Sequence, residues 1–229
     1  MAENTSFKYA VDLAFCIDVT GSMAPVLDLV KNSAISLHSK IEAAMALKGK
    51  SISQLRIRVI AFRDFADRAD NAIHASDFWT IPDQTEEFAA FVKRLDATDG
   101  GDEPESALEA LALAINSPWE RGLDRRRHVI IVFTDASAHP LGTGSFAATY
   151  PPNMPRSQDE LFEMWGYKTS QSATMEHAAK RLLIFAPDTT PWNVIANDWN
   201  STVYFASQAG RGMEEFELDE IIEVVANSV

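Results

Sequence analysis

Cysteine is nearly absent: the one in 229 residues, Cys16, has no partner for a disulfide within the chain and sits in an apolar run, where it reads as a small packed hydrophobe. A reducing, cytoplasmic setting is therefore expected. Basic residues are short as well. Twenty Lys and Arg face 33 Asp and Glu, a formal charge of -13, which argues against nucleic acid or an anionic membrane surface as partner. No stretch reaches membrane-spanning length without charges, and Met1 to Ser6 has no basic start leading into an apolar run. The five histidines (38, 74, 128, 139 and 177) are scattered without cysteine partners, so zinc spacing is missing. So are the Gly-x-Gly-x-x-Gly turn and the Gly-Lys-Ser/Thr phosphate cradle. Repeats and low-complexity tracts are absent too.

What is present is enough apolar residue, 46%, for one sizeable core, and residues 1–229 are expected to form a single domain. Val11 to Ile17, Leu55 to Phe62, Val129 to Phe133, Leu182 to Phe185 and Val203 to Phe205 read as strands. Helical stripes run from Pro25 to Met45, Thr85 to Leu95, Pro104 to Ile115 and Glu214 to Val225, and Ala72 to Trp79 reads as a short edge strand. This alternation predicts an α/β fold, Rossmann-like and doubly wound, with a mostly parallel central sheet, one short antiparallel edge strand and helices on both faces. Four prolines and two glycines deny residues 136–158 regular structure, making them a long rim loop with His139, Phe146 and Tyr150 as candidate partner contacts. Arg125-Arg126-Arg127 reads as a solvated face, and Trp165, Trp192 and Trp199 as core or rim.

The chemistry concentrates where strands end. Asp18, Thr20 and Ser22 alternate at the end of the first apolar run, so their oxygens converge on one point and suit a hard cation such as Mg²⁺. Two of these donors are neutral hydroxyls, which leaves part of the ion's charge to attract an acidic group from outside. Two more acidic segments belong at the same sheet edge: Asp102-Glu103-Pro104-Glu105 and Thr134-Asp135. Singly each has a plainer reading. Asp102 and Glu105 have the spacing of a helix capping box, the first motif that of a turn with a helix cap, and Asp135 that of a loop start. Their coincidence favours a shared site, with Thr98 a substitute ligand if the middle loop sits differently.

Together these segments resemble the metal-ion-dependent adhesion site of von Willebrand factor A-like domains, with Thr20 in place of a serine. The run Asp102-x-Pro104-Glu105, a helix, Trp119, then an apolar strand ending Thr134-Asp135-Ala136 is similar to the integrin β I-like domain. The resemblance implies that Thr20, Ser22 and Glu105 touch a Mg²⁺ (or Mn²⁺) ion directly while Asp18 and Asp135 hold its waters. It further implies a second cation site, for Ca²⁺, on Asp67, Asp102, the carbonyl of Pro104 and Glu105. Pro25 and Val26 stand where a third, inhibitory site would need acids. The implied function is non-enzymatic: a protein partner presents Asp or Glu to the metal, and the C-terminal helix moves on binding. The competing resemblance is to haloacid dehalogenase-type phosphohydrolases, with Asp18 as nucleophile and Asp135 helping to hold Mg²⁺; it leaves Asp102-x-Pro104-Glu105 unexplained.

Overall fold

The structure is a computed structural model that describes residues 7–67, 69–98, 100, 103–123, 125–167, 173–211 and 217–229. Its centre is one sheet. Strand β1 (Phe7–Asp18) lies between β2 (Lys50–Phe62) and β5 (Arg126–Phe133), with β6 (Lys180–Pro187) and β7 (Thr202–Ser207) beyond β5, all parallel. At the far edge β3 (Ile73–Ala75) and β4 (Trp79–Ile81) both pair antiparallel with β2. The expected single edge strand is thus interrupted. Ile60 faces Ala75 whereas Ile57 faces Trp79, a register slip of one residue, and the Ser76 hydroxyl accepts from the Val59 amide at 3.0 Å within the bulge.

Side-chain alternation along the parallel strands builds a core on each face. Val11, Leu13, Phe15 and Ile17 of β1 join Val129, Ile131 and Phe133 of β5 on one face. There they meet α1 (Ala24–Ser33), α2 (Leu37–Leu47), α3 (Thr85–Lys93) and α7 (Leu218–Ser228). Ala14, Cys16, Ile130 and Val132 turn the other way, toward α4 (Ala107–Ile115), α5 (Gln158–Trp165) and α6 (Trp192–Asp198). Helix α4 carries four alanines and approaches β1 closely enough for the Cys16 Sγ to reach the Ala110 carbonyl at 3.5 Å. Burial pushes the Cys16 thiol up to about 12, which keeps it unreactive.

Two local features depart from the sequence expectation. The stripe from Pro25 to Met45 is two helices, because at Ser36 both amide and hydroxyl turn back to the Ser33 carbonyl, at 3.0 and 3.2 Å, and leave Ile35 exposed. Helices α5 and α6, of eight and seven residues, are too short to give a periodic signal, although Ser157 caps α5 by accepting from the Glu160 amide at 3.2 Å. Trp165, Trp192 and Trp199 are all core residues. The C-terminal helix occupies Leu218–Ser228; the expected start at Glu214 lies outside the described residues. Among the described residues no helix is long and apolar enough to cross a membrane.

A buried ion pair ties β1 to β2 at mid-sheet. Arg56 grips Asp12 with two bonds, 2.8 and 2.5 Å, and the Glu120 amide adds a third at 2.7 Å. Asp12 is 1% exposed, and removing its carboxylate takes two acceptors from Arg56 and leaves it the Pro118 carbonyl at 3.1 Å. Asp12→Ala is expected to lower unfolding free energy by about 3 kcal/mol in urea titrations, and Asp12→Asn, which keeps one acceptor, by less.

Candidate functional site

At the carboxyl edge of the sheet, β1 and β5 end side by side, Ile17 beside Phe133, so their next residues enter the same space. Asp18 is fully buried there. Its Oδ1 accepts from the Thr20 amide and hydroxyl at 2.9 and 2.6 Å, and its Oδ2 accepts from the Thr134 hydroxyl at 2.7 Å. Burial pushes the carboxyl up to about 6; the three hydrogen bonds pull the other way, and the nearby Asp135 charge adds a smaller push upward. Thr20, just past β1, is turned over by a short 3-10 segment, Gly21–Met23, that exposes Ser22. The Ser22 hydroxyl then donates to Asp135 Oδ1 at 3.0 Å, closing the first loop onto the third.

The middle loop is tied in by backbone. The Thr98 amide reaches the Val19 carbonyl at 3.2 Å; the Glu105 amide reaches the Ser137 carbonyl at 3.0 Å, and the Glu105 carbonyl accepts from the His139 amide at 2.9 Å. Gly100 has φ +80°, and a Cβ there would lie 2.7 Å from the Thr20 Cβ, so the close approach of these loops requires glycine. The result is an open pocket of about 190 Å³ lined by Thr20, Ser22, Gly100, Glu103, Glu105, Asp135, Ala136 and Gly210.

All five expected first-site residues therefore gather here: Thr20, Ser22, Glu105 and Asp135 line the pocket, and Asp18 braces it from below. Glu103 and Gly210 were not singled out from sequence. Glu103 was legible as the unassigned position of the Asp-x-Pro-Glu run, whereas Gly210, whose amide donates to the Asp135 carbonyl at 2.9 Å, carries no sequence signal. Of the second-site residues, Asp67 is exposed and outside the pocket lining, Pro104 is half-buried, and Asp102 lies outside the described residues.

Two expected rim residues turn inward. His139 Nε2 lies 3.1 Å from the buried Asp64, and the Tyr150 hydroxyl donates to buried Glu109 at 2.9 Å while its ring packs 5.1 Å from Phe65. For Tyr150 the reason is Glu109: burial raises its pKa, and the Tyr150 hydroxyl and Gly142 amide are the donors that compensate it. Phe146 is 69% exposed and stands out from this anchored loop.

Among the described residues no group of three or more His, Cys, Asp or Glu converges to hold an ion by itself, so any cation here depends on the hydroxyls of Thr20 and Ser22. That all-oxygen set, with two neutral members, fits a hard divalent cation. Among the described residues the pocket lining holds no lysine or arginine.

Comparison with known proteins agrees with this geometry at the level of domain type. A family model described as von Willebrand factor A domain matches residues 74–142, which takes in Glu105 and Asp135 but not the first loop. The alpha-protein kinase vwkA of Dictyostelium discoideum is 32% identical over 145 residues, 63% of this chain and 21% of the kinase. A putative ariadne-like RING finger protein of Acanthamoeba polyphaga mimivirus is 26% identical over 129 residues, 56% of this chain and 11% of that protein. The match thus spans about a fifth or less of these curated relatives' lengths. Among solved structures, the pilus adhesin SpaC of Lactobacillus rhamnosus GG superposes with a TM-score of 0.54 at 8% identity. Its open conformation gives 0.53 at 9%, each over 95% of this chain and 30% of the adhesin. A von Willebrand factor A domain is supported by the family model and the kinase relative. The likeness to the adhesin is one of fold.

The raised Asp18 value has a measurable sign. The ordinary carboxylate value is 3.8, so between that and about 6 the folded chain holds a proton that the unfolded chain has released. This group's contribution to stability is fully present well below 3.8 and is lost as pH rises through about 6. In urea titrations with chelator present, the wild type is expected to lose stability across this window relative to Asp18→Asn. Parallel curves would show that Asp18 titrates at its ordinary value.

Proposed function

We propose that this chain is a protein-interaction module that works through a bound divalent cation, Mg²⁺ or Mn²⁺, and takes an Asp or Glu side chain from a protein partner. The observation that carries the reading is that oxygen side chains from loops far apart in sequence, Thr20 and Ser22, Glu105, and Asp135, line one open pocket at the sheet edge. Thr20, Ser22 and Glu105 would hold the ion directly and Asp18 and Asp135 through water. Bound there, the cation supplies the largest local positive charge and a position for an outside carboxylate oxygen. The chain's own part is orientation. Asp18 fixes the Thr20 hydroxyl at 2.6 Å, Asp135 fixes Ser22 at 3.0 Å, and Gly100 leaves the space that a side chain would fill.

A phosphohydrolase reading is disfavoured on the same geometry. Both Asp18 oxygens already accept hydrogen bonds and the carboxylate is fully buried, which leaves no face for attack on phosphorus. A place in a larger signalling or assembly system fits relatives named as a protein kinase and a RING finger protein, each matched over a minor share of its length. A cytoplasmic setting fits a chain whose one cysteine is buried.

Titration calorimetry with Mg²⁺ and Mn²⁺ tests the ion, and capture of partners in Mg²⁺ against chelator tests the function. Ser22→Ala and Asp135→Ala are expected to weaken metal binding about 10- to 100-fold and to abolish the metal-dependent captures. Identical isotherms for wild type and both variants would refute the site. Mg²⁺-dependent hydrolysis of an aryl phosphate, lost in Asp18→Asn, would replace this reading with the enzymatic one.

A further inference from the structure

The acidic balance of the chain hides a basic pole at the opposite end of the sheet. Arg126 and Arg127 begin β5 beside Ala10 and Val11, while Asp18 lies at the other end of the same β1 strand. Tyr9 and Asp18 lie nine positions apart, roughly 30 Å of strand. Beside Tyr9 an open cleft of about 250 Å³ is lined by Arg125, Arg126, Arg127, Glu176 and two alanines. More positive charge stands close by. Lys50 at the start of β2 and Arg127 both lie over the Tyr9 ring, at 6.0 and 5.4 Å, and Arg181 of β6 is near enough to Arg127 for that charge to lower its pKa after burial has done so. Glu176 is the one carboxylate among the described residues of the lining.

The Glu176 geometry indicates what the cleft recognises. Arg126 holds its two oxygens with parallel bonds, Nε to Oε2 at 2.8 Å and Nη2 to Oε1 at 2.6 Å, the fork that also fits a phosphate. This pair is partly exposed, so an incoming oxyanion can displace it. The net charge of -13 does not forbid this. At physiological salt a charge is screened over about 8 Å, and the carboxylates of the pocket lie several such lengths away.

We propose that this cleft binds a phosphoryl dianion, with Arg125 and Arg126 as its donors, Arg127 held on Tyr9 as a fixed positive charge, and Glu176 as an internal competitor. The group arrives either as free phosphate or on a phosphorylated side chain. The proposal is independent of the metal pocket, and its test is run in chelator so that the two readings fail separately.

The experiment is calorimetric titration of the full chain with inorganic phosphate, then with acetyl-Gly-phosphoserine-Gly-amide and its unphosphorylated form. Arg125→Gln with Arg126→Gln is expected to weaken phosphate binding at least tenfold, whereas Glu176→Gln, which frees the Arg126 fork, is expected to tighten it about three- to tenfold. A merely structural pair would not give this gain. Tighter binding of the phosphopeptide than of phosphate assigns the source to a modified side chain; equal binding assigns it to free phosphate. No saturable phosphate binding by wild type up to ~10 mM, or binding that neither falls in the arginine variant nor rises in Glu176→Gln, overturns the proposal. Urea titration of the variants, read for a cooperative unfolding transition like the wild type's, reports on their folding.

Discussion

The Asp18 carboxylate is the point on which the carboxyl edge of this fold depends. A buried anion needs donors, and it draws them from two strands: Thr20 beyond β1 and Thr134 beyond β5. The chain of bonds continues outward. Thr134 Oγ1 accepts from the Ala136 amide at 3.1 Å, and the Ala136 carbonyl accepts from the Trp192 indole at 2.9 Å, which binds α6 into the same arrangement. Each donor is set by the one below it, and at the top of the chain Ser22 and Asp135 come within 3.0 Å. A neutral side chain without acceptors at position 18 would leave the two strand ends level but their loops free.

Close approach supplies the rest of the platform. The alanines of α4 let that helix settle against β1 and β2, and its start carries Ser106, just before the first turn, and Glu109 within it. Ser106 receives the Phe65 amide and donates to Asp64, both at 3.1 Å, so the turn after β2 is pinned to the start of α4. A Cβ on Gly144 would lie 2.4 Å from the Phe65 Cβ, which shows how tightly the rim loop is pressed onto that turn. Phe146 therefore stands on a fixed base. An exposed aromatic on an anchored loop loses little freedom when a partner covers it.

The sheet and the first loop of the site were legible because both rest on a period of two. Apolar alternation marked the strands, and Asp18, Thr20 and Ser22 continued it past the end of β1. What could not be read was anything decided by long-range packing. Tyr150 looked like a rim aromatic from its proline-rich surroundings, but its direction was set by Glu109, whose burial no local pattern betrays. His139 was drawn inward by Asp64 across 75 positions of sequence. Gly210 entered the pocket through its backbone alone, and a backbone amide carries no residue signature. The split of the first helix was written in Ser33 and Ser36, yet their hydroxyls fall on an otherwise continuous apolar stripe.

Parallel strands explain why the two poles have opposite character. In such a sheet every strand starts at one end and finishes at the other, so residues that precede strands and residues that follow them are sorted apart in space. Here Lys50, Arg126 and Lys180 begin strands, whereas Asp18 and Asp135 end or follow them. One short basic run is weak as a stretch of sequence and strong as part of this sorted edge, because β2 and β6 bring Lys50 and Arg181 beside it. Lys180 itself is fully buried, its ammonium donating to the Trp165 carbonyl at 2.6 Å and lying 4.4 Å from the Trp165 ring, and burial lowers its pKa to about 8. It serves the core and not the cleft. Net charge is therefore a poor guide to what a doubly wound domain can bind: with screening over about 8 Å, each end of the sheet presents only its own sorted residues to an arriving ligand.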